Sequence, residues 1–384
     1  MKKTALAVFI ACLIAGCGGG SEEPVDSETL ARLKTYVETH PMSPADFILD
    51  KFTDHDVIFL GEVHRVKHDV ALVRDLLPLL YEHGIYSLGT EFGRRIDQDL
   101  IDSLITSPEY DEALAERITL QQYVFWGYQD YVDIYRAAWY LNRSLPEGGR
   151  PFRILGLNNS PDWSQVTDSG GRESGMVMKL VWHGETEEDW ARVILDTVVA
   201  RGEKILVYSG MHHAFTHYRQ PVVADGEFIR FGDVRMGNYV FDKIGDRAMC
   251  IFLHGPWSPF DGYDQGVVRP ADGAIDQAMA GVDRKFLPIG FDTRGTPFGD
   301  LPGSTSVYCH GYENFKLSDF CDGYIYTMPF SEYQGVTPIP DFINESNIEY
   351  ARAQSPDPDF REATPEDFNR AIARNADLTR WRLR

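Results

Sequence analysis

The sequence predicts an α/β fold: a mostly parallel central sheet with helices on both faces, a helical aromatic-rich insertion and long C-terminal loops. Three features predict it. Short runs that are apolar throughout, rather than alternating, recur along the chain, as expected of strands buried on both faces. Segments with helical spacing separate those runs, which favours parallel pairing through crossover helices. Residues 256–322 are rich in Gly, Pro and Asp and read as surface or pocket-lining loops more than as a second folded domain.

At the N-terminus, Lys2 and Lys3 precede an apolar run from Ala5 to Ala15, too short to span a bilayer as a mature helix. Residues 1–16 are therefore expected to be a signal peptide. The run ends in "LIAGC", where small residues before Cys17 resemble the bacterial lipobox; an ordinary secreted protein cut nearby is the alternative. Lipidation of Cys17 would make residues 17–27, with their "GGGSEE", a flexible tether. Gly18 rather than Asp after that cysteine implies, in the general pattern of such lipoproteins, the outer membrane, facing the periplasm.

Residues 28–345 are expected to form one domain and 346–384 a C-terminal extension. "DVIFLG" (56–61) reads as a strand, and Val66, Val70, Val73, Leu77 and Leu80 place a helix after it, with Pro78 able to kink it. "IYSLGTEF" (85–92) is the next strand, followed by a helix from about Ile96 to Ile105. The insertion "LQQYVFWGYQDYVDIYRAAWYL" runs from Leu120 to Leu141. Further strands are predicted at 152–158, 203–210, 247–255 and 323–330, with helices at 188–201 and 233–244. Thr364 can cap and Pro365 start a terminal helix, and the last residues through Arg384 are expected to be mobile.

A net charge of −21 becomes about −23 once residues 1–16, with two lysines and no acids, are removed. Such an acidic surface argues against nucleic acid or anionic lipid as partner. Of five cysteines, Cys12 falls in the signal and Cys17 in the anchor. Cys250, inside "AMCIFLHG", reads as a buried thiol, while Cys309 and Cys321 are candidates for a periplasmic disulfide.

The chemistry gathers at strand ends. In an open parallel sheet, ligands bind at the carboxyl ends of the strands, where Gly61, Glu62 and His64 of "FLGEVH" fall. The second strand ends at Glu91, and "EKILVYSG" ends at Gly210, followed by Met211, His212 and His213. Gly-x-x-His thus occurs twice after a strand, and each glycine is expected to let the chain turn sharply there. Two chemistries suit this set. His64, Glu91 and His213 are ligand types for zinc or manganese, leaving a position for water and Glu62 as general base or fourth ligand. Without a metal, His64 is itself a general base, oriented by Glu62 or Glu91. His68 and His217, four residues after each motif histidine, suit solvated or capping roles better than support of the site; His254 closes another strand and is a weaker candidate for the same edge. His40, His55, His83 and His183 have no such context. In the insertion, Trp126 and Tyr131 are the candidates for stacking on a flat ligand such as a porphyrin or macrocycle, although packing against the sheet explains most of its aromatics equally well.

The ordered blocks "FLGEVHRVKHDVALVRDLL", "TEFGRRIDQDLID", "WGYQDYVDIYRAA", "RILGLNNSP" and "LVYSGMHHAF" resemble the erythromycin esterase/ChaN/TIKI-like superfamily, most closely its ChaN-like haem-binding lipoproteins, over roughly residues 55–255. The motif residues map to Gly61 and His64, Glu91, Arg95 and Gln98, and Gly210 and His213. The resemblance implies three precedents: metal-dependent peptide cleavage through two histidines and a glutamate, macrolactone opening with the first histidine as base, and haem binding linked to iron uptake. Arg95, Gln98 and His212 would support the site in each. The expectation is a lipid-anchored hydrolase of an ester or amide, acting on a small molecule or peptide, with haem binding as the alternative and a catalytically silent scaffold as the weakest.

Overall fold

The computed structural model describes residues 25–168, 170–260 and 266–383. The signal segment, Cys17 and most of the tether lie outside the described residues. No described helix is long and apolar enough to cross a membrane.

Nine strands are described: β1 Val57–Glu62, β2 Ser87–Arg94, β3 Arg153–Asn158, β4 Ile205–Gly210, β5 Pro221–Ala224, β6 Glu227–Phe231, β7 Ala248–Leu253, β8 Ile289–Asp292 and β9 Gly323–Tyr326. Seven form one sheet in the order β3-β2-β4-β1-β7-β9-β8. All neighbours are parallel except β8 with β9. β5 and β6 make a separate antiparallel hairpin.

Alternation along each central strand splits the core in two. Ile58 and Leu60 of β1, with Leu206, Tyr208 and Ile251, face one layer of helices that includes Lys67–Glu82, Gln98–Thr106, Gln129–Ser144 and Pro365–Ala376. Val57 and Phe59, with Ile205, Val207 and Cys250, face Ser27–Thr39, Glu187–Thr197, Met236–Ile244 and Ala274–Ala280. Each central strand is buried on both sides, which is why its sequence is apolar without a polar period.

The topology fixes where a ligand can enter. β1 and β4 are neighbours, yet β1 leads into Lys67–Glu82 on one face and β4 leads towards Met236–Ile244 on the other. Adjacent parallel strands whose connections leave on opposite faces open a crevice at their carboxyl ends. Glu62 pairs with Gly210 at its floor.

Several expectations change. Lys67–Glu82 runs through Pro78 as one helix. The insertion is two helices, Glu112–Gln122 and Gln129–Ser144, broken between Tyr123 and Tyr128. The segment 256–322 contributes more than loops: it supplies Ala274–Ala280 and the antiparallel edge strand β8. Cys250, Cys309 and Cys321 are buried free thiols, so the candidate disulfide is not formed. Cys309 packs towards Gly303 and Phe315, whereas Cys321 lies against the Leu317 carbonyl. Burial pushes the Cys250 and Cys309 thiols up to about 12.

Candidate functional site

Glu62 ends β1 and is 1% exposed. A carboxylate there requires compensating donors, and three converge on it. Tyr131 donates its hydroxyl to Oε1 at 2.6 Å, Tyr208 donates to Oε2, and His64 Nδ1 lies 2.8 Å from Oε1. Tyr208 comes from mid-β4 and Tyr131 from the insertion helix, so sheet and helix layer both bind this carboxylate. With Nδ1 committed to Glu62, the His64 proton sits on that side, and Nε2 is the basic nitrogen. Among the described residues no protein group hydrogen-bonds Nε2.

His64 is a third exposed and packed edge-on to Trp126 at 5.1 Å and Phe92 at 5.8 Å. The chain reverses just after it at Arg65, whose φ of 72° is uncommon for a residue with a side chain. Tyr131 Oη accepts the Arg65 N–H and the Val336 N–H donates to the Arg65 carbonyl, which holds the turn. The sharp turn expected at the glycines is thus made by Arg65. Gly210 instead provides close approach: a Cβ there would stand 2.7 Å from His64 Cε1 and 3.0 Å from Nε2.

Glu91 accepts the Gly210 N–H at 2.7 Å and lies 3.4 Å from His213 Nε2. Glu187, the first residue of a helix capped by Thr186, lies 3.0 Å from His213 Nδ1 and binds Arg235 at 2.7 Å. His213 therefore sits between two carboxylates, its ring stacked on Trp190 at 4.8 Å. Burial works to lower its pKa, but Glu187 and then Glu91 outweigh that and raise it to about 10. For both carboxylates burial acts upward and is overcome by His213, holding each at about 2. The two carboxylates thus favour the charged form of His213. His212, by contrast, is pushed down to about 3 by burial and by Arg235, and its Nε2 lies 2.7 Å from Tyr308 Oη.

A cavity of about 240 Å³ opens over these groups. Glu62, His64, Gly210, His212 and His213 form one side, and Trp257, Val267, Tyr308 and Trp381 lie on the rest of its lining.

The structure thus brings Glu62, His64, His212 and His213 to one cavity with Glu91 directly behind them. Trp126 and Tyr131 are 5% and 2% exposed and do not line it; Trp126 stacks with Phe92, and Tyr131 acts through Glu62. Arg95 reaches Asn159 and Glu185. Gln98 bonds Asp102 and the backbone of Ile154 and Gly156, clamping β3 rather than the site. His68 is neither solvated nor a cap: it lies 3.4 Å from buried Asp69, and burial, then His254, lowers it to about 4. His217 points to Ser318, Arg294 and Asp322, and His254 is fully buried beside Tyr324, outside the cavity lining. The sequence reading missed Tyr208 and Glu187.

Among the described residues no three His, Cys, Asp or Glu side chains are arranged to hold a metal ion. His64 gives Nδ1 to Glu62 and keeps Nε2 for a ligand, while both nitrogens of His213 face carboxylates. His64 Nε2, Glu91 and His213 remain the groups that would hold zinc or manganese, although no such cluster is preformed among the described residues. The candidate stacking rings Trp126 and Tyr131 are buried in the core and offer no open face to a haem.

No protein-family model matches the chain, and no curated protein matches it. Solved structures do. A succinoglycan biosynthesis protein aligns over 80% of this chain and 98% of its own, at 10% identity and a TM-score of 0.52. An erythromycin esterase mutant in its open conformation aligns over 77% and 96%, at 13% identity and a TM-score of 0.44. The ChaN of Campylobacter jejuni, described with cofacially bound haem, aligns over 56% and 88%, at 13% identity and a TM-score of 0.36. What the likeness to the succinoglycan biosynthesis protein concerns is the fold alone.

Proposed function

We propose that this protein hydrolyses an ester or amide with His64 as general base, Glu62 as its orienting partner and His213 as the fixed positive charge. The observation that carries the reading is the 2.8 Å contact between His64 Nδ1 and buried Glu62, which leaves Nε2 without a protein partner at a cavity. His64 Nε2 takes a proton from water, and the hydroxide oxygen bonds to the substrate's carbonyl carbon. Glu62 stabilises the imidazolium formed. Negative charge builds on the former carbonyl oxygen, and the charge of His213, whose two ring nitrogens are turned to Glu91 and Glu187, acts on it through space rather than as a hydrogen-bond donor. Cleavage of the carbon–oxygen or carbon–nitrogen bond releases a leaving group that takes the proton from His64. In the metal-assisted alternative His64 Nε2, Glu91 and His213 would supply the ligands and the ion would polarise the water; no observation favours haem over a smaller ligand.

The same proposal places the domain at the bacterial envelope, anchored through Cys17 to the outer membrane and facing the periplasm; the "LIAGC" pattern supports it. Labelling by radioactive palmitate in cells, abolished in Cys17→Ser, would bear that out, and undiminished labelling would refute it.

The catalytic proposal is tested with an ester and peptide panel on protein produced from Gly18. His64→Ala and His213→Ala should abolish turnover of any substrate found while retaining wild-type circular dichroism. Full activity in both variants would sink the reading.

A further inference from the structure

The C-terminal segment, expected to be mobile, reaches the cavity through Trp381. Gly335 is where the tail is held: a Cβ there would stand 1.7 Å from the Ala376 carbonyl oxygen, so only glycine lets the end of helix Pro365–Ala376 pack this close. The same segment bridges to the turn beyond His64, through Val66 with Gly335 and the Val336 N–H to the Arg65 carbonyl. Five residues after the helix, Trp381 reaches the cavity lining. Beyond it the Val267 N–H donates to the Arg382 carbonyl at 3.1 Å, and Trp257 and Val268 exchange both backbone bonds at 2.8 Å. Trp257, Val267 and Trp381 are therefore stitched together as one wall, tied at one end to the His64 turn.

We propose that Trp381 is a specificity-determining residue, contacting the substrate and selecting a neutral ester or amide that carries a flat apolar group of single-ring size. This rests on the hydrolytic reading of the same cavity. Three observations fix the class. The indole lies on the lining with Trp257, so a planar group meets aromatic surface. Among the described lining residues none is Lys or Arg, and the charge of His213 is already matched by Glu187 and Glu91, so no described cation is left over to pair a carboxylate or phosphate. A volume of about 240 Å³ limits the enclosed part of the ligand to about one ring and its acyl group.

The test compares phenyl acetate with methyl acetate for wild type, Trp381→Ala and Trp381→Phe, with thermal melts to establish folding. For phenyl acetate, Trp381→Ala should lower kcat/KM about tenfold, mainly through KM, while methyl acetate changes less than about twofold and Trp381→Phe retains most discrimination. Equal loss on both esters, or no loss on either, overturns the proposal. If wild type cleaves neither ester, the hydrolytic reading fails separately, and calorimetric binding of acetanilide decides this one. Binding that weakens about tenfold in Trp381→Ala supports it; binding that is unchanged, or absent in wild type, overturns it.

Discussion

Replacing Glu62 by Gln is the sharpest perturbation of this site. The carboxylate receives three donors on two oxygens, at 2.6 Å from Tyr131, 2.8 Å from His64 and from Tyr208 on the other oxygen. Glutamine keeps the shape but offers one acceptor oxygen and no charge. If that oxygen stays with Tyr131 and His64, Tyr208 must rotate to accept from the new amide; if the amide flips, His64 loses its acceptor and its tautomer preference. Either way the charge-assisted bond to His64 is gone, a loss of about 1.5–3 kcal/mol. Because that bond strengthens as His64 takes a proton, the loss falls mainly on the transition state, and kcat should fall on the order of 10–10². Stability should change less, since a buried charge is removed at the same time. Asp69 reports this: burial and then Glu62 hold its carboxyl well above the usual range, and removal of Glu62 relieves the second cause. The assay is steady-state hydrolysis with urea unfolding on the same samples. His64→Ala should mask the change, with Glu62→Gln costing nothing further in the double variant. An E62Q protein that keeps more than about half of wild-type kcat would refute the dyad.

Gly210→Ala should misplace the His64 ring, because a Cβ would sit 2.7 Å from Cε1, and should cost about 10² in kcat with a small stability loss, read by kinetics and a melt together. His213 is raised from 6.5 to about 10, so its stabilisation is complete below 6.5 and lost as pH climbs towards 10. Glu91 and Glu187 are lowered from 4.5 to about 2, so theirs is complete above 4.5 and lost as pH falls towards 2. Urea midpoints should therefore be highest between those limits and fall on both sides, and His213→Gln should remove the alkaline limb; an alkaline limb unchanged in that variant would contradict the imidazolium. Chelator treatment should leave hydrolysis unchanged, whereas near-stoichiometric zinc or manganese lost in the His64/His213 double alanine variant would restore the metal reading. Gly335→Ala should destabilise the chain by at least about 3 kcal/mol in urea titration, because its Cβ meets backbone rather than a movable side chain.

Six strands of the main sheet, the five inner ones and the edge strand β3, were legible because burial on both faces writes a largely apolar run. β8 was not: "IGFD" is four residues long and set among Gly and Pro. The polar helix Ser27–Thr39 shows only Leu33 and Val37 as buried positions, too few to stand out beside a tether. Site residues were readable where a strand ended in Glu or His. Tyr208 was hidden inside its strand, where it pairs with Leu60, two residues before Glu62. Glu187 lay among the acids of "ETEED", which look like helix-start residues and are, so only the fold reveals that one of them faces His213. Trp381 could not be placed at all, because its position depends on a close approach at Gly335.

The tyrosine clamp on Glu62 also sets the order in which the molecule becomes competent. Its two hydroxyls come from positions 69 and 146 residues along the chain, one in a strand and one in the helical layer above it. Closing those distant segments belongs to the slow part of folding, after local helices have formed. A refolding chain should therefore recover its helical signal well before it can turn over substrate, and a fragment ending before β4 should never do so.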